Sequence, residues 1–307
     1  MQSGTAKFSA LANGRSGLQC VLLLALVCGS LQASASRVLT DETGRRVTLP
    51  DHIGKVVALT PAIANTICAL GGESQLAAVT AYTQYPKEVR NKPSIGDILH
   101  PSLERIAAIH PDVVIAMSTL NSPETVRGLE RIGIPVYQVA GQDLAGVYRS
   151  ISSIGQVLGR EKEAQTLSAQ LHAREQHIRE QAKTNGAGPR VLLLLSIEPC
   201  ITAGRSAFLT EMITAAGARS VTDDVKQDWI RMSVESLIAR KPDYLLTLMD
   251  APFSLNDLKS RPGWSQLQAV QRGHVLRIDD RLQVPGPVAF DGLEEFVRQL
   301  RAAEGAR

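Results

Sequence analysis

Two glutamates stand at matching positions in two copies of one short sequence unit. The copies occupy residues 101–116 and 232–247, 131 positions apart, and each contains the pattern Ser-x-Glu followed by Pro-Asp. The glutamates are Glu104 and Glu235. In each copy the serine is typical of a helix N-cap, and Pro-Asp ends the helix before an apolar run that is typical of a buried strand. Two carboxylates presented in this way could bind cationic side chains on a partner.

A purely structural role for these glutamates is the alternative. A carboxylate in the first turn of a helix stabilises it by about 0.3–1 kcal/mol through the helix dipole. Each glutamate follows its serine by two residues rather than three, so a reciprocal capping box does not explain it. Each helix precedes a strand and runs antiparallel to it, which places both glutamates at one rim. Because exposed ion pairs are individually weak, two like charges would mainly set register and orientation on a partner.

Aromatic side chains form the second group of interest, because only 4% of the chain is aromatic. Tyr82 and Tyr85 share one segment after a predicted strand, and Trp229 lies just before the second Ser-x-Glu unit. Their rings could stack on a flat macrocycle or a catecholate while the polar tips stay in water. Core packing is the alternative, and it is the role that we predict for Trp264.

The chain carries none of the motifs that would indicate an enzyme on an α/β fold. It lacks G-x-G-x-x-G after a strand, a P-loop and G-x-S-x-G. Its carboxylate pairs, at 223–224 and 279–280, are adjacent residues, which point to opposite faces of a strand. We therefore expect no catalytic residue. Enzymatic activity remains the less favoured alternative to ligand binding.

The elements around these residues predict an α/β fold with two similar lobes. Strands alternate with helices from residue 55 to 139, and the same order returns from 190 to 302, which indicates mainly parallel sheets and a ligand cleft between the lobes. Residues 161–183 contain no Pro or Gly and predict one bridging helix about 35 Å long. We predict a signal peptide at 1–35, a first lobe at 36–142, a bridging helical segment at 143–186 and a second lobe at 187–307.

The N-terminus predicts secretion. An apolar run at 18–31 follows the only two charges of this region, Lys7 and Arg15, and precedes a small-x-small cleavage pattern that ends at Ala35. The run is short for a membrane anchor, and Val27 fits poorly before a lipid-modified Cys28. Cleavage after Ala35 lowers the formal charge from +3 to about +1, so a nucleic-acid partner is not expected.

Two cysteines stay in the mature chain, Cys68 and Cys200, one in each half. We predict that both are free thiols, because a disulfide between the lobes would hinder any movement of the cleft. Three histidines, at 100, 110 and 274, show no paired spacing of metal ligands, and no resident metal is predicted.

In its motifs the chain resembles the periplasmic binding proteins that serve cobalamin, ferric-siderophore and haem ABC importers. The resemblance covers nearly all of the mature chain. The features that carry it are the secretion signal, residues 38–44, residues 82–86, Gly96 with Asp97, both Ser-x-Glu units and the Pro-Gly-Pro segment 285–287. It implies a bilobed fold joined by one long helix, a monomer in the periplasm, and Glu104 and Glu235 docking onto arginines of a membrane permease dimer.

Ligands of open parallel sheets bind at the carboxyl ends of the strands. Those ends, together with the cleft positions that the resemblance implies for the aromatic residues, give nine candidate ligand contacts. They are Pro61, Ala62, Tyr82, Tyr85 and Ser118 in the first lobe, and Cys200, Trp229, Asp250 and Arg281 in the second.

The ligand class follows from the charge of the cleft. An anionic ferric siderophore would need cations, for which Arg205, Arg231 and Arg281 are candidates. Cobalamin would need aromatic and backbone contacts, and haem would need an iron ligand such as Tyr82 or Tyr85. We rank cobalamin or a related corrinoid first, a ferric siderophore second and haem third. Each would be cargo, and no resident cofactor is implied.

Overall fold

Two parallel sheets with the same strand order form the framework of the protein. The computed structural model describes residues 35–183 and 188–305, so nearly all of the predicted signal peptide lies outside the described residues. The first sheet has the order β4-β3-β5-β6, and the second has the order β10-β7-β12-β13. In both sheets, the strand that comes second in the sequence, β4 or β10, lies at one edge. The strand that comes first, β3 or β7, is its neighbour in the interior of the sheet. The prediction of two similar α/β lobes is therefore confirmed.

The strands are short, and most are enriched in β-branched and aliphatic residues. Their bounds are β1 (Ser36–Thr40), β2 (Arg46–Pro50), β3 (Val56–Ala58), β4 (Leu76–Val79), β5 (Val113–Met117), β6 (Val136–Val139), β7 (Arg190–Leu193), β8 (Ser196–Ile197), β9 (Cys200–Ala203), β10 (Arg219–Ser220), β11 (Trp229–Arg231), β12 (Tyr244–Leu248) and β13 (Val275–Ile278). β1 and β2 form a two-stranded sheet, and β11-β9-β8 form a small antiparallel sheet within the second lobe. This small sheet is not predicted from the sequence.

Helices connect successive strands, and each lobe sheet is covered on both faces. The helices are α1 (Pro61–Ala69), α2 (Leu103–Ile109), α3 (Pro123–Arg131), α4 (Leu144–Leu158), α5 (Glu161–Gln181), α6 (Phe208–Ala215), α7 (Val234–Arg240), α8 (Leu255–Ser260), α9 (Gln268–Gln271) and α10 (Ala289–Gly305). Short 3-10 helices span Lys87–Asn91, Trp264–Gln266 and Asp280–Gln283. Alternate residues of β5 belong to different cores, with Val113 on one face of the sheet and Val114 on the other.

The duplicated unit folds identically in the two lobes. The side chains of Ser102 and Ser233 cap α2 and α7, and both helices end at a residue in the left-handed conformation, His110 and Lys241. The helices and the strands that follow them occupy equivalent positions in the two copies. Local sequence therefore determines the local structure of this unit.

The aspartate of each Pro-Asp pair joins neighbouring strands. Asp112 Oδ2 accepts hydrogen bonds from the backbone N–H groups of Gly54 (2.7 Å) and Lys55 (2.8 Å), just before β3. Asp243 Oδ2 accepts one from the N–H of Arg190 at the start of β7 (2.8 Å). Each carboxylate ties the amino end of the third strand of its lobe to the amino end of the first, which explains why the pair recurs.

The bridging helix is α5, whose 21 residues extend about 32 Å at 1.5 Å per residue. Its buried side chains are Ala164, Leu171 and Ile178, which repeat every seven residues. This stripe packs against α4 and α10. The main hydrophobic core runs through it from the first lobe to the second. The lobe boundaries at 142 and 186 stay a prediction.

One predicted helix is wrong in extent. By itself, the apolar pattern near residues 256–270 predicts one continuous helix, but the structure has α8, a 3-10 helix and α9 in its place. The helix is interrupted at Pro262 and Gly263, because proline lacks a donor N–H and Gly263 adopts a φ of 80°. Trp264 follows the break and is buried, as predicted.

Both described cysteines are free, as predicted, and both are buried. Burial raises the pKa of the Cys68 thiol to about 12 and that of Cys200 to about 11. The thiolate is the nucleophilic form of cysteine. Both side chains therefore act as small apolar residues at neutral pH.

Candidate functional site

A cavity of about 550 Å³ lies between the two lobes, at the carboxyl ends of their strands. Its lining comes from both halves of the chain: Thr60, Pro61, Ala62, Tyr82, Gln84, Tyr85, Ile98, Met117 and Leu120 from the first lobe, and Asp250, Asp280, Gln283, Val284 and Pro285 from the second. The first lobe contributes mostly apolar and aromatic groups. The second contributes both carboxyl groups, and among the described residues no lining side chain is cationic.

Tyr82 presents its ring to solvent in this cavity. It is 83% exposed and has a φ of 64°, in the left-handed region that β-carbon-bearing residues rarely occupy. The neighbouring backbone is held in place, because Ala81 donates to the carbonyl of Gly96 (2.7 Å) and the Thr83 hydroxyl donates to the carbonyl of Thr80 (2.8 Å). An exposed aromatic ring on a strained backbone is typical of a binding residue rather than of core packing.

The wall in the second lobe contains two carboxyl groups. Asp280 Oδ1 accepts a hydrogen bond from the N–H of Met249 (2.9 Å), next to Asp250. Burial, and then the negative charge of Asp250, raise the pKa of Asp280 above its usual value. The wall therefore offers oxygen acceptors to a ligand and opposes the entry of an anion.

The floor of the cavity is a direct contact between the lobes. The Oδ1 atom of Asn65, a buried residue of α1, accepts a hydrogen bond from the N–H of Val288 (2.9 Å). Gly286 packs so closely on α1 that an added β-carbon would lie 3.1 Å from Asn65 Oδ1 and 3.3 Å from the carbonyl of Ala62. The Pro-Gly-Pro segment therefore serves as a seam between the lobes.

We expect Asn65→Ala to lower the free energy of unfolding by about 1–3 kcal/mol, because it leaves the buried N–H of Val288 without its acceptor. Urea denaturation of both proteins measures the change. Thr214→Ala is a control without a contact between the lobes, since among the described residues the Thr214 hydroxyl bonds only within its own helix, to the carbonyl of Thr210. If Asn65→Ala is no less stable than Thr214→Ala, the hydrogen bond between Asn65 and Val288 contributes little to the free energy of unfolding.

The cavity brings together five of the nine candidate ligand contacts: Pro61, Ala62, Tyr82, Tyr85 and Asp250. Ser118 lies beside the lining residue Met117, and its N–H donates to the carbonyl of Val139. Cys200 lines a separate hollow of about 430 Å³ that also contains Trp264. Neither residue lines the cavity.

Trp229 and the candidate cations are not among the lining residues, although Arg281 follows the lining residue Asp280 and lies close enough to Tyr85 to interact with it. Trp229 is 52% exposed on β11. Arg281 makes a bidentate ion pair with Asp279 and a longer one with Asp291, and these carboxylates raise its pKa. Arg205 pairs with Asp223, and Arg231 lines the separate hollow.

Several lining residues were not among the candidate contacts. Thr60 and Met117 are sequence neighbours of the candidate contacts Pro61 and Ser118, and Pro285 belongs to the Pro-Gly-Pro segment. Ile98 lies in a loop that the side chain of Asn121 joins to the end of β5, a tertiary contact without a local signal in the sequence. Leu120 lies three residues after the end of β5, and its N–H donates to the carbonyl of Met117.

The two matched glutamates are exposed in the first turns of α2 and α7. Within residues 35–183 and 188–305, neither Glu104 nor Glu235 has a hydrogen-bond or ion-pair partner. The segment before α2 contains the cavity residue Ile98, while Met232, just before α7, and Val234, its first residue, line the separate hollow. Both carboxylates are therefore available to a partner.

Among residues 35–183 and 188–305, no three His, Cys, Asp or Glu side chains are grouped so that they could hold a metal ion. No helix in the same part of the chain has the length and apolar character needed to cross a membrane.

Comparison with known proteins identifies the family. The sequence model of the periplasmic binding protein family matches residues 56–282, which include both lobe sheets and most of the cavity lining. The chain belongs to the periplasmic binding protein family. Members of this family bind solutes, which agrees with an open cavity between two lobes.

This periplasmic binding protein has curated relatives of similar length. It is 28% identical over 269 residues to the uncharacterized ABC transporter substrate-binding lipoprotein YvrC of Bacillus subtilis, with 85% of this chain and 84% of that protein covered. It is 25% identical over 260 residues to the vitamin B12-binding protein of Vibrio parahaemolyticus, with 84% and 93% covered.

A solved structure has the same fold. The periplasmic heme-binding protein RhuT from Roseiflexus sp. RS-1, in its apo form, matches this periplasmic binding protein with a TM-score of 0.76 and 26% identity. The match covers 82% of this chain and 99% of that one. The bilobed architecture with a long helix is therefore shared with a solved relative.

Proposed function

We propose that the protein is the solute-binding component of an ABC importer, that it works in the periplasm, and that its cargo is a corrinoid such as cobalamin. The observation that carries this proposal is the cavity between the lobes, which combines two tyrosines with two carboxyl groups. Membership of the periplasmic binding protein family supports solute capture. The vitamin B12-binding relative supports the ligand class.

The chemistry of the cavity favours a corrinoid over a ferric siderophore. A corrin ring is flat and carries peripheral amide groups, which donate hydrogen bonds. Tyr82 and Tyr85 can stack on its face, while Asp250 and Gln283 can accept from its amides. An anionic ferric siderophore would meet two carboxyl groups and no lining cation, which costs binding energy. The cavity volume suits one face of the macrocycle, with the rest open to solvent.

Haem is the second candidate, and one specific observation favours it. Tyr82 holds an exposed phenol in the cavity, and a phenol oxygen can ligate ferric iron. The carboxyl groups of the opposite wall disfavour haem binding, because they would repel the anionic haem propionates.

The importer role requires a docking surface, and we propose that Glu104 and Glu235 provide it. They are exposed, lie at equivalent positions in the two lobes and carry the same charge. A permease dimer has two equivalent faces, so a monomeric binding protein with duplicated lobes can present one glutamate to each. Arginines of the permease are the expected partners.

Ligand titration tests the proposed cargo. Purified protein of residues 36–307 would be titrated by calorimetry and by visible absorption with cyanocobalamin, dicyanocobinamide, haemin and one catecholate ferric siderophore. A stoichiometric complex with cyanocobalamin and with cobinamide, without turnover, is expected. If only haemin binds, the cargo is haem. If only the ferric siderophore binds, the argument that the two carboxyl groups exclude an anionic ligand is wrong.

Asp280→Asn is expected to raise the melting temperature at neutral pH. A carboxyl whose pKa is raised on folding binds protons more tightly in the folded state, so its ionisation costs stability as pH rises above 3.8, its usual pKa. The amide keeps an oxygen acceptor for Met249 and removes this cost.

Thermal melts between pH 3 and pH 7 measure the effect. The difference in melting temperature between Asp280→Asn and wild type should vanish near pH 3, where the Asp280 carboxyl is protonated in both the folded and the unfolded protein. A difference that is the same at both ends of the range would show that ionisation is not its cause.

A further inference from the structure

A buried asparagine joins two parts of the cavity lining that are distant in sequence. Asn121 follows β5 and is only 3% exposed. Its Oδ1 atom accepts a hydrogen bond from the N–H of Met117 (2.8 Å), and its Nδ2 atom donates one to the carbonyl of Ile98 (2.9 Å). Met117 and Ile98 both line the cavity. One side-chain amide thus sets their relative position.

The segment that contains Ile98 has few other attachments. At its start, the carbonyl of Gly96 accepts from Ala81 (2.7 Å), and at its end the N–H of Ser102 donates to the carbonyl of Ile95 (2.7 Å). The N–H groups of residues 99 and 100 donate hydrogen bonds to Asp97 Oδ1, and both bonds are internal to the segment. Within the described chain, Asn121 makes the one hydrogen bond that ties residues 97–101 to the rest of the lobe.

Burial holds this segment only in part. Pro101 is buried and Ile98 is half-buried, but Leu99 between them is 57% exposed. A segment of this kind opens at low free energy unless specific bonds hold it. The segment ends at Ser102, the N-cap of α2, and Glu104 lies in the first turn of that helix. The cavity and the matched glutamate of the first lobe therefore share one short connection.

We propose that Asn121 is a positioning residue of the ligand site, which holds residues 96–102 as a preformed wall and so couples the cavity to the start of α2. The proposal rests on the proposed function of the cavity. Asn121 does not line the cavity and acts through Ile98 and Met117. A ligand that contacts Ile98 then acts on the segment that positions Glu104.

The role of Asn121 is tested first without ligand. Asn121→Asp is almost isosteric and keeps the acceptor for Met117, but it replaces the donor to Ile98 by an oxygen. Hydrogen exchange of the ligand-free protein should become at least about tenfold faster in residues 97–102, because the segment loses its tie to the lobe. Exchange in β5 should be unchanged. Exchange in 97–102 that is the same as in wild type would overturn the proposal.

Ser122→Ala is the matched control, because the Ser122 hydroxyl caps α3 without touching the segment. It should lower the melting temperature and leave exchange in 97–102 unchanged. If Ser122→Ala accelerates exchange there as much as Asn121→Asp does, the segment responds to general destabilisation and the positioning role is refuted.

Cyanocobalamin then tests the link to binding. Loss of the preformed wall is expected to weaken its binding to Asn121→Asp by about tenfold, while Ser122→Ala binds as wild type does. Equal affinities for Asn121→Asp and wild type would refute the positioning role. If wild type binds no cyanocobalamin, the corrinoid proposal fails, and the exchange experiment on the ligand-free protein still decides the role of Asn121.

Discussion

Reversing both matched glutamates, Glu104→Arg with Glu235→Arg, is expected to abolish ligand import and leave ligand affinity unchanged. Both side chains are exposed, and neither lines the cavity. Against permease arginines, each substitution replaces an attraction by a repulsion, and like charges opposed across an interface cost several kcal/mol, or about 100-fold or more in affinity. Two such reversals should prevent productive docking.

The helix-dipole explanation makes a different prediction for the same protein. Loss of a carboxylate from the first turn of each helix would cost about 0.3–1 kcal/mol of stability per site and would leave transport intact. The two explanations are separated by measuring uptake in cells, cyanocobalamin affinity by calorimetry and the melting temperature together. Uptake at the wild-type rate in the double variant would show that the docking assignment is wrong.

The chain contains a close control for this experiment. Glu124 also lies in the first turn of a helix, two residues after a capping serine, and it is exposed. It belongs to α3 and not to the duplicated unit. Glu124→Arg should therefore leave import unchanged. Each single reversal, at Glu104 or Glu235, should reduce import less than the double reversal, because one attachment survives.

Removing the Tyr82 ring is expected to weaken cyanocobalamin binding by about 10- to 100-fold, because the ring is the most exposed aromatic group of the cavity and stacking of this kind contributes about 1–3 kcal/mol. Tyr82→Phe keeps the ring and should stay within about threefold of wild type if the ligand is stacked. If the phenol oxygen instead ligates iron, Tyr82→Phe should abolish haemin binding.

Comparing Tyr82→Gly with Tyr82→Ala separates stability from binding. At a φ of 64°, alanine retains the steric cost of the β-carbon and glycine does not, so Tyr82→Gly should be the more stable of the two by about 1 kcal/mol. Both should bind cyanocobalamin equally weakly. Urea denaturation and calorimetry measure the two quantities, and a Tyr82→Ala protein that binds as wild type does would exclude the ring from the site.

The duplicated unit shows which elements of this protein can be predicted from the local sequence. Ser102 and Ser233 begin their helices where the Ser-x-Glu pattern predicted, and β5 and β12 are buried strands that follow the two Pro-Asp pairs, as predicted. Capping and an apolar run after Pro-Asp act over a few residues, so they are readable without tertiary structure. The predicted helix near 256–270 was wrong because Pro262 and Gly263 interrupt an apolar pattern that by itself suits a helix.

The sequence by itself determined the two α/β lobes, the bridging helix and the matched positions of Glu104 and Glu235, because periodicity, caps and duplication are local or repeated patterns. Tertiary structure alone decided which strand-end side chains reach one cavity. Arg281, a candidate contact, pairs with two aspartates in the second lobe, while Ile98 reaches the cavity through its bond to Asn121. The reason is physical, since the direction of a side chain depends on hydrogen bonds between segments that are distant in sequence.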